Sequence, residues 1–337
     1  MIGTAKATRF GTRVYGNGRS RNAASAAHGD WFSREEAIMG TAIKVELWAA
    51  DRDEGEAAID AVMAEMHRID AAMSPHKPDS ELSRINRDAG SRAVPLSDEM
   101  FRLVERSIEF SNLSAGAFDI TYASVGQLYD YRAGVAPSDD ELAVARQAIG
   151  YRQLHLDPRE RTLRFGREGM RIDLGGFAKG HVVDTSTAIL KGRGIRHAFV
   201  SAGGDSRVIG DRRGRPWTIG IRDPRREDGV VAVLPLEDVA ISTSGDYERF
   251  FEKNGVRCHH LIDPRTGRSP ASVHSVTILA EDGLTTEALS KSVFVLGVNQ
   301  GMQLVESLPG VDAVVIDAAG QLHYSTGLQG ARPQTRQ

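Results

Sequence analysis

Arg171-Ile172-Asp173-Leu174-Gly175-Gly176-Phe177-Ala178-Lys179-Gly180-His181-Val182-Val183-Asp184 is the stretch around which this chain is organised. Met170 to Leu174 alternates like the end of a strand, with Asp173 as its polar interruption. Gly175 and Gly176 allow a sharp turn. From Phe177 to Leu190 the apolar spacing turns helical, with Phe177, Val182, Val183 and Leu190 on the buried face. A carboxylate therefore ends a strand, two glycines follow, and Lys179 stands in the first turn of a helix. Free amides at a helix start attract anions, and a lysine there adds a full charge. An ordinary strand–turn–helix junction accounts for the same residues about as well. Neither common nucleotide motif is present. The spacing is not that of a P-loop, and Gly192-Arg193-Gly194 has His197 where a dinucleotide fingerprint needs its third glycine.

The 337 residues allow one large domain or two ordinary ones, and a 41% hydrophobic share supports a sizeable core. A formal net charge of −3 implies neither nucleic acid nor membrane surface as a partner. Arg212, Arg213, Arg215, Arg222, Arg225 and Arg226 cluster beside Asp211, Asp223, Glu227 and Asp228, and read as solvated hairpin ends. The one cysteine, Cys258, rules out an internal disulfide and reads as buried filler. No segment reaches the roughly 18 apolar residues that a membrane span needs. Residues 1–30 carry almost no large apolar side chains and are expected to be disordered. Ala23-Ala24-Ser25-Ala26-Ala27 looks like a cleavage region, but no apolar core precedes it. The expected layout is a disordered or processed segment at 1–36, one domain at 37–328 and a tail at 329–337. As given, the chain reads as cytoplasmic; a signal missing from this start would make it periplasmic.

Thr41 to Ala49 alternates as a strand, and Asp53 to Met73 repeats as a helix. A loop is expected over 74–86. Ser97 caps a helix to about Leu113, and Ser138-x-x-Glu141 is a capping box for a helix to Ile149. Gly116 to Thr121 reads as too short and polar for a core element. Hairpin strands follow at 155–165, and short strands at 197–201, 206–209, 217–222, 230–234, 239–242, 258–262 and 273–280. Helices are expected at 285–296 and 300–307, broken at Gly297, before a last hairpin of 311–316 with 321–324. Strands in runs, with helices not strictly interleaved, predict α+β with largely antiparallel sheet.

Polar residues collect at strand ends and glycine turns. His259-His260-x-x-Asp263 has the residue types of a metal site, but adjacent strand residues face opposite ways, so one histidine is expected inside and one outside. Seven motifs stand in one order: Met39-Gly40-Thr41; Asp79 to Asn86; Gly116-Ala117-Phe118-Asp119-Ile120-Thr121; Asp173 to Gly180; Ala202-Gly203-Gly204-Asp205; Ser244-Gly245-Asp246-Tyr247; and His260-Leu261-Ile262-Asp263-Pro264-Arg265-Thr266-Gly267. Together they resemble the FAD:protein FMN transferases, the ApbE flavin-transferase family, over about residues 37–325.

The resemblance implies an enzyme that binds FAD and Mg²⁺, transfers FMN to a threonine or serine hydroxyl of an acceptor protein, and releases AMP. The acceptor is expected to be a subunit of a redox complex. By position, Met39, Ala117, Phe118, Asp119, Asp173, Lys179 and Ile262 would contact FAD, and the Gly176 carbonyl would bind the metal. His260 is the candidate base, with Lys179 and Asp263 as further catalytic candidates. Two departures from the family pattern stand out. His76 fills a slot usually aromatic and stacked on the flavin. Glu287-Ala288-Leu289-Ser290-Lys291 replaces a metal segment usually written Asp-x-x-x-Thr. A charged lysine cannot ligate a metal. Either Lys291 points away and Ser290 supplies an oxygen, or Lys291 stands in for part of the cation's charge, or activity is weakened. A metal-dependent FAD pyrophosphatase and an inert flavin binder are the alternative readings.

Overall fold

The computed structural model describes residues 29–226 and 229–329. Residues 1–28, including the alanine-rich stretch at 23–27, Glu227 and Asp228 of the charged cluster, and residues 330–337 of the expected tail lie outside the described residues. The described chain opens as a hairpin of β1 (Asp30–Ile38) and β2 (Thr41–Ala49), paired over nine positions each. This corrects the expectation for 1–36, since residues 30–36 are strand. Its signal was faint because the edge strand is mostly polar: Arg34 is tied outward to Glu56 at 3.0 Å and Asp60 at 2.5 Å. β2 behaves as its alternation predicts, with Ile43, Val45 and Leu47 fully buried. The turn between them, Met39-Gly40, holds both residues at positive φ, +56° and +69°. The tightest hairpin turns demand this geometry, which glycine accepts freely and methionine does not.

α1 (Arg52–Met73), capped by Asp51, buries Ile59, Val62, Met66, Ile69 and Met73 at helical spacing. The loop expected over 74–86 stops early, because Ser80 accepts the Ser83 amide at 3.0 Å and opens α2 (Glu81–Asp88). β3 (Val94–Pro95) precedes α3 (Asp98–Leu113), which Ser97 caps as predicted. A short α4 (Ala123–Gly126) is followed by α5 (Asp139–Ala145), whose capping box forms as predicted. β4 (Leu154–Asp157) and β5 (Thr162–Phe165) make a hairpin that β3 extends at its edge.

After α6 (Ala178–Gly192) come the strands β6 (Ala198–Ala202), β7 (Asp205–Ile209), β8 (Trp217–Arg222), β9 (Val230–Leu236), β10 (Ala240–Gly245), β11 (Phe250–Lys253), β12 (Val256–His259) and β13 (Val273–Ala280). α7 (Gly283–Glu306) then runs to a kink at Gly297, where φ is +76°, and on. β14 (Asp312–Asp317) and β15 (Leu322–Tyr324) close the domain. β1, β2, β6, β7, β10, β13, β14 and β15 form one eight-stranded sheet in that order, antiparallel at every pairing. α1, α6 and α7 bury the main core against one face. The β8–β9 hairpin seals the other with Trp217, Ile221, Leu234 and Leu236. The α+β, antiparallel class is therefore the observed one. Among the described residues, no helix is long and apolar enough to cross a membrane.

Met170 to Leu174 is not a strand. It has no neighbouring ladder: the Asp173 N–H donates to the Ile120 carbonyl at 3.0 Å, and side chains supply the bonds at Arg171 and Ile172. The Asn86 amide pairs with the Ile172 backbone in both directions, at 2.8 and 2.9 Å. The Arg171 N–H donates to Ser124 Oγ at 3.0 Å. Buried backbone groups must be satisfied somewhere, and alternation alone does not say by what.

α6 and α7 cross at their N-termini through glycines. A Cβ on Gly180 would lie 2.3 Å from the carbonyl oxygen of Gly283, a backbone atom that cannot swing aside. Each helix caps the other. Asp184 of α6 accepts the Gly283 and Leu284 amides at 2.8 and 3.0 Å, and Glu287 of α7 accepts the Gly180 amide at 2.6 Å. Gly180→Ala is expected to cost about 1–3 kcal/mol or more, as overpacking does. Urea denaturation monitored by circular dichroism measures it.

Candidate active site

Where α6 starts, beside the first strand residue of β7, two lysines and two carboxylates are packed together. Lys179 Nζ donates to Asp205 Oδ2 and, at 2.6 Å, to Glu287 Oε1. Lys291 Nζ reaches the same Glu287 oxygen at 3.2 Å. Asp205 Oδ1 accepts the Ser242 hydroxyl at 2.5 Å. Ser290 Oγ lies 3.2 Å from Ser242 Oγ and 2.8 Å from Ser244 Oγ. Asp205 and Glu287 are 1% and 0% exposed, so the charges are held by one another and not by water. Burial opposes the charge on Lys179, but Asp205 and Glu287 outweigh it and raise its pKa. Asp205 is likewise pushed down against burial, by Lys179 and then Lys291. Lys291 is lowered, chiefly by burial and by neighbouring Lys179, with Glu287 working the other way. The helix-start amide that the sequence offered to an external anion is thus taken by the Glu287 carboxylate.

The strand ends at His259 and not at Ile262, and neither histidine is exposed, which corrects the expectation of one inside and one outside. His259 is buried edge-on to Phe294 and bonded to the Pro270 carbonyl at 2.9 Å. Its neighbour faces the charged cluster. His260 Nδ1 is buried with no hydrogen-bond partner among the described residues. Burial, followed by Lys291, His259, Arg249 and Lys179, pushes its pKa down to about 3. A neutral imidazole with a free ring nitrogen can accept a proton. A folded-state pKa below the unfolded value means that the unfolded chain binds the extra proton between about pH 6.5 and 3. Stability from this group is therefore complete above about pH 6.5 and lost on acidification toward pH 3. The wild-type melting temperature is expected to fall more steeply over that window than that of His260→Gln, which thermal scans at matched pH values check.

Asp263 does not join His260. Arg265 Nε donates to its Oδ1 at 2.9 Å and Arg265 Nη2 to its Oδ2 at 3.0 Å, while the Asp263 carbonyl accepts the Gly267 amide and closes the turn. A carboxylate engaged in this way shapes the turn that follows Ile262. Cys258 is half-buried, not the filler expected.

Some of the residues expected at a nucleotide are tied to the neighbourhood of this cluster. Arg249 donates to the Gly40 carbonyl at 3.3 Å, and its own carbonyl accepts the His260 amide at 3.1 Å. It thereby joins the Met39-Gly40 turn to the histidine. Asp173 lies within electrostatic reach of His76, Arg171 and Arg249, and its pKa is raised by burial. Tyr122 lies within electrostatic reach of Asp173, Tyr131 and Glu287, and its pKa is raised by burial and then by them. Ala117, Phe118 and Asp119 are buried, contrary to the expectation that this stretch is no core element. The Phe118 ring packs on Phe177 at 5.5 Å and Phe110 at 6.3 Å. Asp119 accepts from the Thr121 amide and hydroxyl and from the Tyr151 amide. These bonds let a polar residue lie in the core. Sequence reasoning missed Arg249, Tyr122, Ser242 and Ser244 as site residues. The serines alone left a trace, two apart on one strand and so on one face.

The residues expected to hold Mg²⁺ are Gly176, Glu287, Ser290 and Lys291. Glu287 has given Oε2 to the Gly180 amide and Oε1 to two ammoniums. Ser290 Oγ is turned into the serine pair and its own helix. The aliphatic part of Lys291 lies over Gly176, 3.4 Å from where a Cβ would be. Mg²⁺ demands near-octahedral oxygen at about 2.0–2.1 Å, and this donor set, with an ammonium in its midst, does not fit one. Among the described residues there is no group of three His, Cys, Asp or Glu side chains able to hold a metal.

The domain is antiparallel α+β, with a buried charge cluster and an unpartnered histidine nitrogen close to its strand ends. The ApbE family model matches residues 39–315, and the chain belongs to the ApbE family. It is 32% identical over 316 residues to the FAD:protein FMN transferase of Treponema pallidum, covering 88% of this chain and 87% of that one. The corresponding protein of Vibrio cholerae is 34% identical over 280 residues, with 80% and 82% covered. The crystal structure of the ApbE protein of Thermotoga maritima superposes with a TM-score of 0.83 at 32% identity, covering 89% of this chain and 98% of that one. The Vibrio cholerae flavin transferase ApbE gives 0.80 at 28%, covering 90% and 99%.

Proposed function

We propose that this protein is an FAD:protein FMN transferase, moving FMN from FAD to a threonine or serine hydroxyl of an acceptor protein and releasing AMP. Membership of the family supports the reaction. The observation that carries it in this chain is the unpartnered His260 Nδ1 beside Lys291 and Arg249. The acceptor oxygen attacks the phosphorus of the FMN half, and an O–P bond forms. The P–O bond to the AMP phosphate breaks, and its electron pair leaves on AMP. His260 Nδ1 takes the hydroxyl proton. Burial depresses His260 most, and an anionic diphosphate beside Lys291 and Arg249 offsets the part that their positive field adds, so the base strengthens once substrate is bound. Asp173, the Met39-Gly40 turn, His76 and the 117–119 segment bound the flavin and nucleotide. The acceptor's class, a redox-complex subunit, rests on the resemblance alone.

Hydrolysis of FAD to FMN and AMP is the same step with water as the nucleophile. Intact-mass analysis of an acceptor domain incubated with the protein and FAD separates the two. An adduct the size of an FMN phosphodiester, with AMP in equal amount, supports transfer. AMP and free FMN without adduct mark a hydrolase.

A further inference from the structure

We propose that the Lys291 ammonium takes the place of a divalent cation in this site, so that the diphosphate of the nucleotide meets a side-chain charge and no metal is bound. The nature of the ligand rests on the transferase reading, whereas the exclusion of metal rests on geometry alone.

The side-chain oxygens a cation would use here, on Glu287, Asp205 and Ser290, are already engaged. Glu287 bonds the Gly180 amide at 2.6 Å with one oxygen, and Lys179 at 2.6 Å and Lys291 at 3.2 Å with the other. Asp205 is shared between Lys179 and Ser242. The side chain at 287 explains its own length. Glutamate, one methylene longer than aspartate, is what spans from α7 to the first turn of α6. A metal ion on Glu287 Oε1 would sit within a few ångströms of two ammoniums, and the like charges would expel one or the other. Lys291 is also seated. Its methylenes cover Gly176, where the missing side chain leaves room, and the side chain as a whole is 16% exposed.

The charges agree. Lys179 and Lys291 balance Asp205 and Glu287. With a neutral residue at 291 the cluster would carry one net negative charge beside an incoming diphosphate, and a divalent cation would then be needed to reverse it. Lysine supplies that charge without metal, as a point donor suited to phosphate.

The test combines flavin-fluorescence titration of FAD, in chelator and in Mg²⁺, with electron paramagnetic resonance of Mn²⁺ added to protein and FAD. The proposal expects the wild-type Kd to agree between chelator and Mg²⁺ within about twofold, and the Mn²⁺ signal to match that of FAD alone. Lys291→Met is expected to weaken FAD by about tenfold or more, the loss of a charge-assisted hydrogen bond, with no rescue by Mg²⁺. Lys291→Thr is expected to weaken it in chelator and recover in Mg²⁺. FAD binding by the wild type that collapses in chelator, or stoichiometric Mn²⁺ capture, overturns the proposal whatever the variants do. Wild-type protein that ignores FAD overturns the transferase reading instead, and Mn²⁺ capture by protein alone then decides the metal question.

Discussion

Glu287→Ala is expected to lower the unfolding free energy by about 3–5 kcal/mol, the cost of breaking a buried charge pair from one side. Three groups lose a bond at once: the Gly180 amide, the Lys291 ammonium and the Lys179 ammonium, which keeps Asp205. Asp205 alone then faces two buried cations, and the α6–α7 crossing loses one of its reciprocal caps. Glu287→Gln separates the terms, since its carbonyl can still accept the Gly180 amide while the charge is gone. Urea denaturation should place it between wild type and Glu287→Ala. A glutamine variant as stable as wild type would mean that the ion pairs contribute nothing net and that the cap is the whole effect.

His260→Ala is expected to slow FMN transfer by about 10²–10⁴-fold, the usual contribution of a positioned general base. FAD affinity should change little, because the ring carries no charge near neutral pH. Single-turnover transfer and FAD titration on one preparation make the comparison. An equal loss in both would recast His260 as a binding residue, and an unchanged rate would remove it from the chemistry.

Much of the architecture was legible because burial is periodic. α1 and β2 announce their buried faces directly, and Ser97 and Ser138 cap the helices they predict. β1 was illegible for the opposite reason: its outward face is solvated and its inward face carries few large apolar groups. The organising stretch misled in a more instructive way. Its alternation is real, with Ile172 and Leu174 buried, but the bonds a strand would make are made by Asn86 and Ser124, far away in sequence. Its helix start does bind an anion, and that anion is the chain's own Glu287. The site was legible as a set of motifs and not as a set of contacts. Nothing local to Glu287 or Lys291 says that both meet Lys179, and nothing in Tyr247-Glu248-Arg249 tells that an exposed arginine joins the Met39 turn to His260. Asp263 illustrates the converse, a motif aspartate whose own turn explains it.

The most direct measurement is the intact mass of an acceptor domain carrying a target threonine, incubated with wild-type protein and FAD, once in Mg²⁺ and once in chelator. The account predicts the FMN adduct and equimolar AMP in both. An adduct in Mg²⁺ alone would contradict the role given to Lys291, and AMP with no adduct in either would contradict transfer itself.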